Sequence, residues 1–137
     1  MSSAQPLTVF QVAGRAMSAQ LVRMNTTASN LANAGGVASS AEAAYKTMKP
    51  VFRTSYDQAS GLATVDVEKV VTAGEAPTKR YDPANPQADK DGNVYEAAVD
   101  ETRELVDMME TARSYQNDVE VMNTAKQLTI DTLKLGR

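Results

Sequence analysis

The chain has 137 residues, enough for one domain, with 14 Lys and Arg against 17 Asp and Glu for a net charge of −3. That balance is too mild to imply nucleic acid or an acidic substrate, and no basic patch with interleaved aromatics is present. There is no Cys and no His, which removes disulfides, thiol chemistry, the usual proton shuttle and the commonest metal ligand.

Aromatics total only 5%, with seven Met and no Trp, so the apolar set is mostly Ala, Val, Leu and Met. Such a set suits helix–helix seams better than a thick central core. The start, Met-Ser-Ser-Ala-Gln-Pro, lacks the basic opening and continuous apolar core of a cleaved secretory signal. No run reaches the roughly 20 apolar residues of a membrane span, so direct membrane insertion is not expected.

In chain order, Thr8 with Gln11 three residues on predicts a capping box and a helix start. Phe10, Met17, Met24 and Leu31 follow at seven-residue spacing. Ala13, Gln20 and Thr27 fill the intermediate slots, and Leu21 and Ala28 widen the stripe. Ala34-Gly35-Gly36 ends the pattern after about 27 residues, or about 40 Å of helix. Residues 1–41 contain no Asp or Glu, and their only charges are Arg15 and Arg23. This uncharged polar face has two readings. It is a flexible tail of weak helix propensity, or a helix buried on several sides, where charge would be costly to desolvate.

Residues 37–44 read as a low-complexity loop. Lys46–Arg53 and Ala63–Thr72 form a candidate hairpin, with Val65 and Val67 alternating against Asp66 and Glu68. Pro50 limits the first strand to a sheet edge. Gly74–Pro86 holds Pro77, Pro83 and Pro86 and reads as an extended connector. Asp89-Lys90-Asp91-Gly92-Asn93 superficially suggests a calcium loop. Its glycine sits fourth rather than sixth, and Asp100 falls where the closing Glu belongs, so a tight turn at Asp91-Gly92 is the better reading. Val94–Val99 is a short extended lead-in.

Asp100 is a good N-cap, with Glu101 and Glu104 in the first turn. The helix after it runs to Leu135, with Lys134 and Arg137 suited to its C-terminal dipole and Gly136 closing it. Leu105, Met108, Ala112, Tyr115, Val119 and Met122 alternate three and four apart, the pattern of one face against a partner helix. A second row, Val121, Leu128 and Leu135, lies on another side. The predicted fold is mainly α: long terminal helices paired as a coiled-coil-like unit, with a small β-hairpin and extended central segment. Residues 1–36 and 100–137 would form an inner helical part and 37–99 an outer one. Phe10, Met17, Leu21, Met24 and Leu31 would pair with the Leu105–Met122 row within one subunit. No poised nucleophile, base, metal cluster or phosphate loop emerges, so no cofactor and no enzymatic role are expected.

Ala28-Ser29-Asn30-Leu31-Ala32-Asn33-Ala34 resembles the N-terminal signature of bacterial flagellar rod and hook proteins. Arg113-Ser114-Tyr115-Gln116, Val119-Glu120-Val121-Met122-Asn123, Lys126 and Thr132-Leu133-Lys134-Leu135-Gly136 resemble the other end of the same family. The short length, Tyr81–Asp89, and Gly92-Asn93-Val94 leading to Val99-Asp100 resemble its proximal rod members. Asp118 departs from the resemblance, standing where Asn is usual. The resemblance implies a subunit polymerising through its terminal helices, with Asn30, Asn33, Val121, Leu128 and Leu135 on the assembly surface. It implies a periplasm-spanning drive shaft that passes torque to the hook and encloses the export channel. Implied partners are copies of itself, other rod proteins, rod-to-ring adaptor and motor ring proteins, and the flagellar type III export apparatus, with export by an uncleaved signal. From the residues alone, a cytoplasmic helical adaptor or export chaperone is the competing reading.

Overall fold

A computed structural model describes residues 8–136. Residues 1–7 of the first segment, and Arg137 with its expected dipole contact, lie outside the described residues. Two helices and two small antiparallel sheets make up the chain. Helix α1 (Val9–Ala32) is followed by β1 (Val37–Ala38), β2 (Met48–Asp57), β3 (Leu62–Thr72), β4 (Thr78–Tyr81), β5 (Asn93–Glu96) and α2 (Glu101–Leu135). The helices hold more of the chain than the strands do, as expected, but the sheets exceed the single small hairpin of the sequence reading. One is the hairpin β2–β3, and the other has three strands in the order β1-β5-β4.

The capping signals act as expected. Gln11 N–H donates to Thr8 Oγ1 at 3.3 Å, and Thr8 N–H donates to Gln11 Oε1 at 3.0 Å. Asn33 ends α1, its N–H donating to the carbonyl oxygens of Ser29 and Asn30 while Ala34 N–H donates to that of Leu31. At α2, Arg103 N–H donates to Asp100 Oδ1 at 3.1 Å, Glu101 and Glu104 lie in the first turn, and Gly136 is the C-cap. Each cap satisfies donors or acceptors that a helix end leaves without intrahelical partners.

The hairpin is longer than expected, ten residues against eleven, with a register shift at Val51/Phe52. Pro50 is tolerated because both strands of a two-stranded sheet are edges. Two segments read as irregular are strands. Val37–Ala38 pairs with Tyr95–Glu96, and Thr78–Tyr81, inside the proline-rich connector, pairs with Asn93–Glu96. Pairing of strands this short is invisible to periodicity, because it is set by partners far away in sequence. Val94, fully buried, is the centre of this sheet.

The turn before β5 is built around Asp89. Its Oδ1 accepts from Asp91 N–H at 2.9 Å and Asn93 N–H at 2.8 Å. These donors, Asn93 first, hold its carboxyl below the usual carboxylate range, against a smaller opposing effect of desolvation. The carboxylate thus organises a turn. Among the described residues no His, Cys, Asp and Glu cluster could hold a metal ion. Gly92 sits at φ +77°, and a Cβ there would lie 2.9 Å from Tyr81 Cε2 and 3.0 Å from Pro83 Cβ. Gly92→Ala is therefore expected to cost about 1–2 kcal/mol, felt mainly as faster hydrogen exchange across β4 and β5. Unchanged exchange in those strands would show that the turn relaxes freely.

Helix α1 is the central element. It packs on α2 and on both strands of the hairpin. α1 and α2 run antiparallel: the C-terminal Asn30 meets Glu104 at the start of α2, and Val9 lies beside Val121 and Leu128. Each arginine of α1 answers one neighbour. Arg15 pairs with Asp66 of β3 at 3.2 Å, and Arg23 with Asp107 and Glu110 of α2 at 3.5 and 3.6 Å. The uncharged polar face is thus partly explained within one chain, because α1 has a neighbour on two sides.

Candidate assembly interface

The residues that bind the subunit together differ from the apolar rows. On α1 the buried positions include Ala13, Ala19, Thr26, Thr27 and Asn30; on α2 they are Glu104 and Thr111. Ala13, Gln20 and Thr27 are seven apart, as are Glu104, Thr111 and Asp118. The middle of the helix pair is therefore small and polar. The Thr111 hydroxyl fits there by bonding its own helix, Thr111 Oγ1 donating to Asp107 O at 2.6 Å. Small central residues let two helices approach closely, with longer side chains packing along the flanks.

Most of the expected pairing residues are partly covered. Met17, Met24, Leu31, Met108, Ala112, Tyr115, Val119 and Met122 are half-buried. Phe10, Leu21 and Leu105 are corrections, because all three are exposed, Leu105 by 52%. The α2 face turns by about one residue, 100° of helix, so that Glu104 rather than Leu105 points inward. Glu104, Thr111 and Asp118 were not singled out as seam residues. Their own seven-residue spacing is the only sequence signal for them, and it is carried by residue types not ordinarily read as core.

Asn30 is also a correction. Expected on the assembly surface, it is 1% exposed and uses its whole side chain inside the subunit. Its Nδ2 donates to Met48 O at 2.9 Å and to Glu104 Oε2 at 3.0 Å. Its Oδ1 accepts from Tyr45 Oη at 2.8 Å and Met48 N–H at 2.9 Å. One residue thus joins the end of α1, the base of the hairpin and the start of α2. Asn33 is exposed, and its Nδ2 donates to Ser29 O of its own helix at 2.8 Å.

Burial in the seam raises the Asp118 carboxyl above its ordinary value. A raised folded-state pKa means that the ionised form opposes folding. That penalty is complete above the folded value and absent below the unfolded one. Asp118→Asn is expected to raise the melting temperature modestly at pH 7, with the gain disappearing as pH falls below about 4. An equal gain at pH 3 and pH 7 would assign the effect to packing instead. Gln20 Oε1, also in the seam, is buried and has no hydrogen-bond partner among the described residues.

The surface left over is on α2. Its 35 residues span about 52 Å and the 24 of α1 about 36 Å, so the last turns of α2 extend beyond the start of α1. Val121, Leu128 and Leu135 all lie exposed, Leu128 by 62% and Leu135 by 87%, with Leu133 exposed as well. Val9, Glu120, Val121, Thr124, Ala125 and Leu128, with Asn117, line an open, largely apolar groove at this end. Contiguous apolar surface of this kind marks an interaction site. No helix among the described residues is long and apolar enough to cross a membrane.

Among the described residues, the long helix pair leaves an apolar end exposed, the class of surface that other protein commonly covers. The comparisons with known proteins agree with that class. A family model described as "Flagella basal body rod protein" matches residues 10–37, and one described as "Flagellar basal body rod FlgEFG protein C-terminal" matches residues 90–135. The flagellar basal-body rod protein FlgC of Salmonella typhimurium is 42% identical over 133 residues, covering 96% of this chain and 98% of that one. The FlgC protein of Escherichia coli O157:H7 is 40% identical over 132 residues, with the same coverage. That of Agrobacterium fabrum is 33% identical over 132 residues, covering 93% and 94%. The chain belongs to the FlgC family of flagellar basal-body rod proteins.

Proposed function

We propose that this protein is a structural subunit of the proximal rod, polymerising through its terminal helices. The observation that carries this reading is the end of α2. Leu133 and Leu135 project past the start of α1, and with Leu128 beside that start they are largely exposed in the single chain. Two stretches, 1–36 and 100–137, form the inner helical part, which coils around neighbouring copies and encloses the export channel. Residues 37–99, with the hairpin and the small sheet, form the outer part. The subunit adds no chemistry of its own. Long packed helices stiffen the shaft through many small contacts, which is what torque transmission from motor to hook requires. Its partners are copies of itself, other rod proteins, the rod-to-ring adaptor and motor ring proteins, and the type III export apparatus that delivers it to a rod spanning the periplasm.

Fractionation tests this reading. The chain is expected in purified basal bodies, and a strain lacking it is expected to be non-motile until complemented. A wholly soluble cytoplasmic pool bound to one export substrate would instead establish an adaptor or chaperone.

A further inference from the structure

We draw no further inference here: the strongest candidate, the exposed apolar face of the β2–β3 hairpin on which the strand register sets Phe52, Tyr56 and Val65 together, carries none because nothing in the structure shows what covers it.

Discussion

Asn30→Ala is expected to destabilise the subunit by about 3 kcal/mol or more. The side chain fills little space, so cavity formation is not the main cost. What matters is who loses a partner. Glu104, 4% exposed, loses the amide donor to its carboxylate, and Met48 loses partners for both its N–H and its carbonyl. Each buried polar group left without a partner costs about 1–3 kcal/mol. The urea midpoint is expected to fall by about 1–3 M with the slope unchanged. A loss below 1 kcal/mol would mean that water takes over these bonds. Two further substitutions separate charge from geometry. Glu104→Gln still offers Asn30 an acceptor and is expected to change stability little. Asn30→Asp sets a second carboxylate against Glu104 at neutral pH. Like-charge repulsion between two buried carboxylates is expected to leave this variant less stable than Asn30→Ala at pH 7.

Leu128→Asp is expected to block incorporation into basal bodies and abolish motility, while the isolated subunit keeps its stability to within about 0.5 kcal/mol. The asymmetry follows from burial. In the single chain Leu128 is 62% exposed, so a carboxylate there stays hydrated. In an assembled contact the same carboxylate would be desolvated without a partner, which costs far more than the lost apolar area. Swarming assays and purified basal bodies read the first effect, and thermal melting of the purified chain reads the second. Normal rods from this variant would show that the exposed row is not an assembly surface.

Much of the chain's local structure was legible from side-chain chemistry acting over a few residues. Thr8 with Gln11, Asp100 before Glu101 and Glu104, and Gly136 set helix ends through local bonds, so they could be read directly. The β2–β3 hairpin was legible from the Val65 and Val67 alternation. The strands β1 and β4 were not. Each is short, and its edge is satisfied only by β5, many residues away.

Apolar periodicity identified two long helices but misassigned part of their packing. It put large apolar residues in the seam and left polar ones outside. Phe10, Leu21 and Leu105 lie exposed, while Glu104 and Thr111 are buried. Hydropathy ranks residues one at a time, whereas a helix seam selects for size and for satisfied polar atoms. Thr111 is acceptable inside because its hydroxyl bonds Asp107 O, and Glu104 because Asn30 donates to it.

By itself the sequence determined where both helices begin and end, that α1 carries almost no charge, and that α2 has more apolar surface than one partner helix could cover. These are properties of neighbours along the chain and of the composition of faces. Only the tertiary structure decided which surfaces are used inside the subunit. It set α1 between α2 and the hairpin, answered Arg15 and Arg23 with separate neighbours, and drew Asn30 from the expected outer surface into the joint between layers. The physical reason is that a hydrogen-bonding hub depends on groups 18 and 74 residues away along the chain, a relation that no local pattern carries.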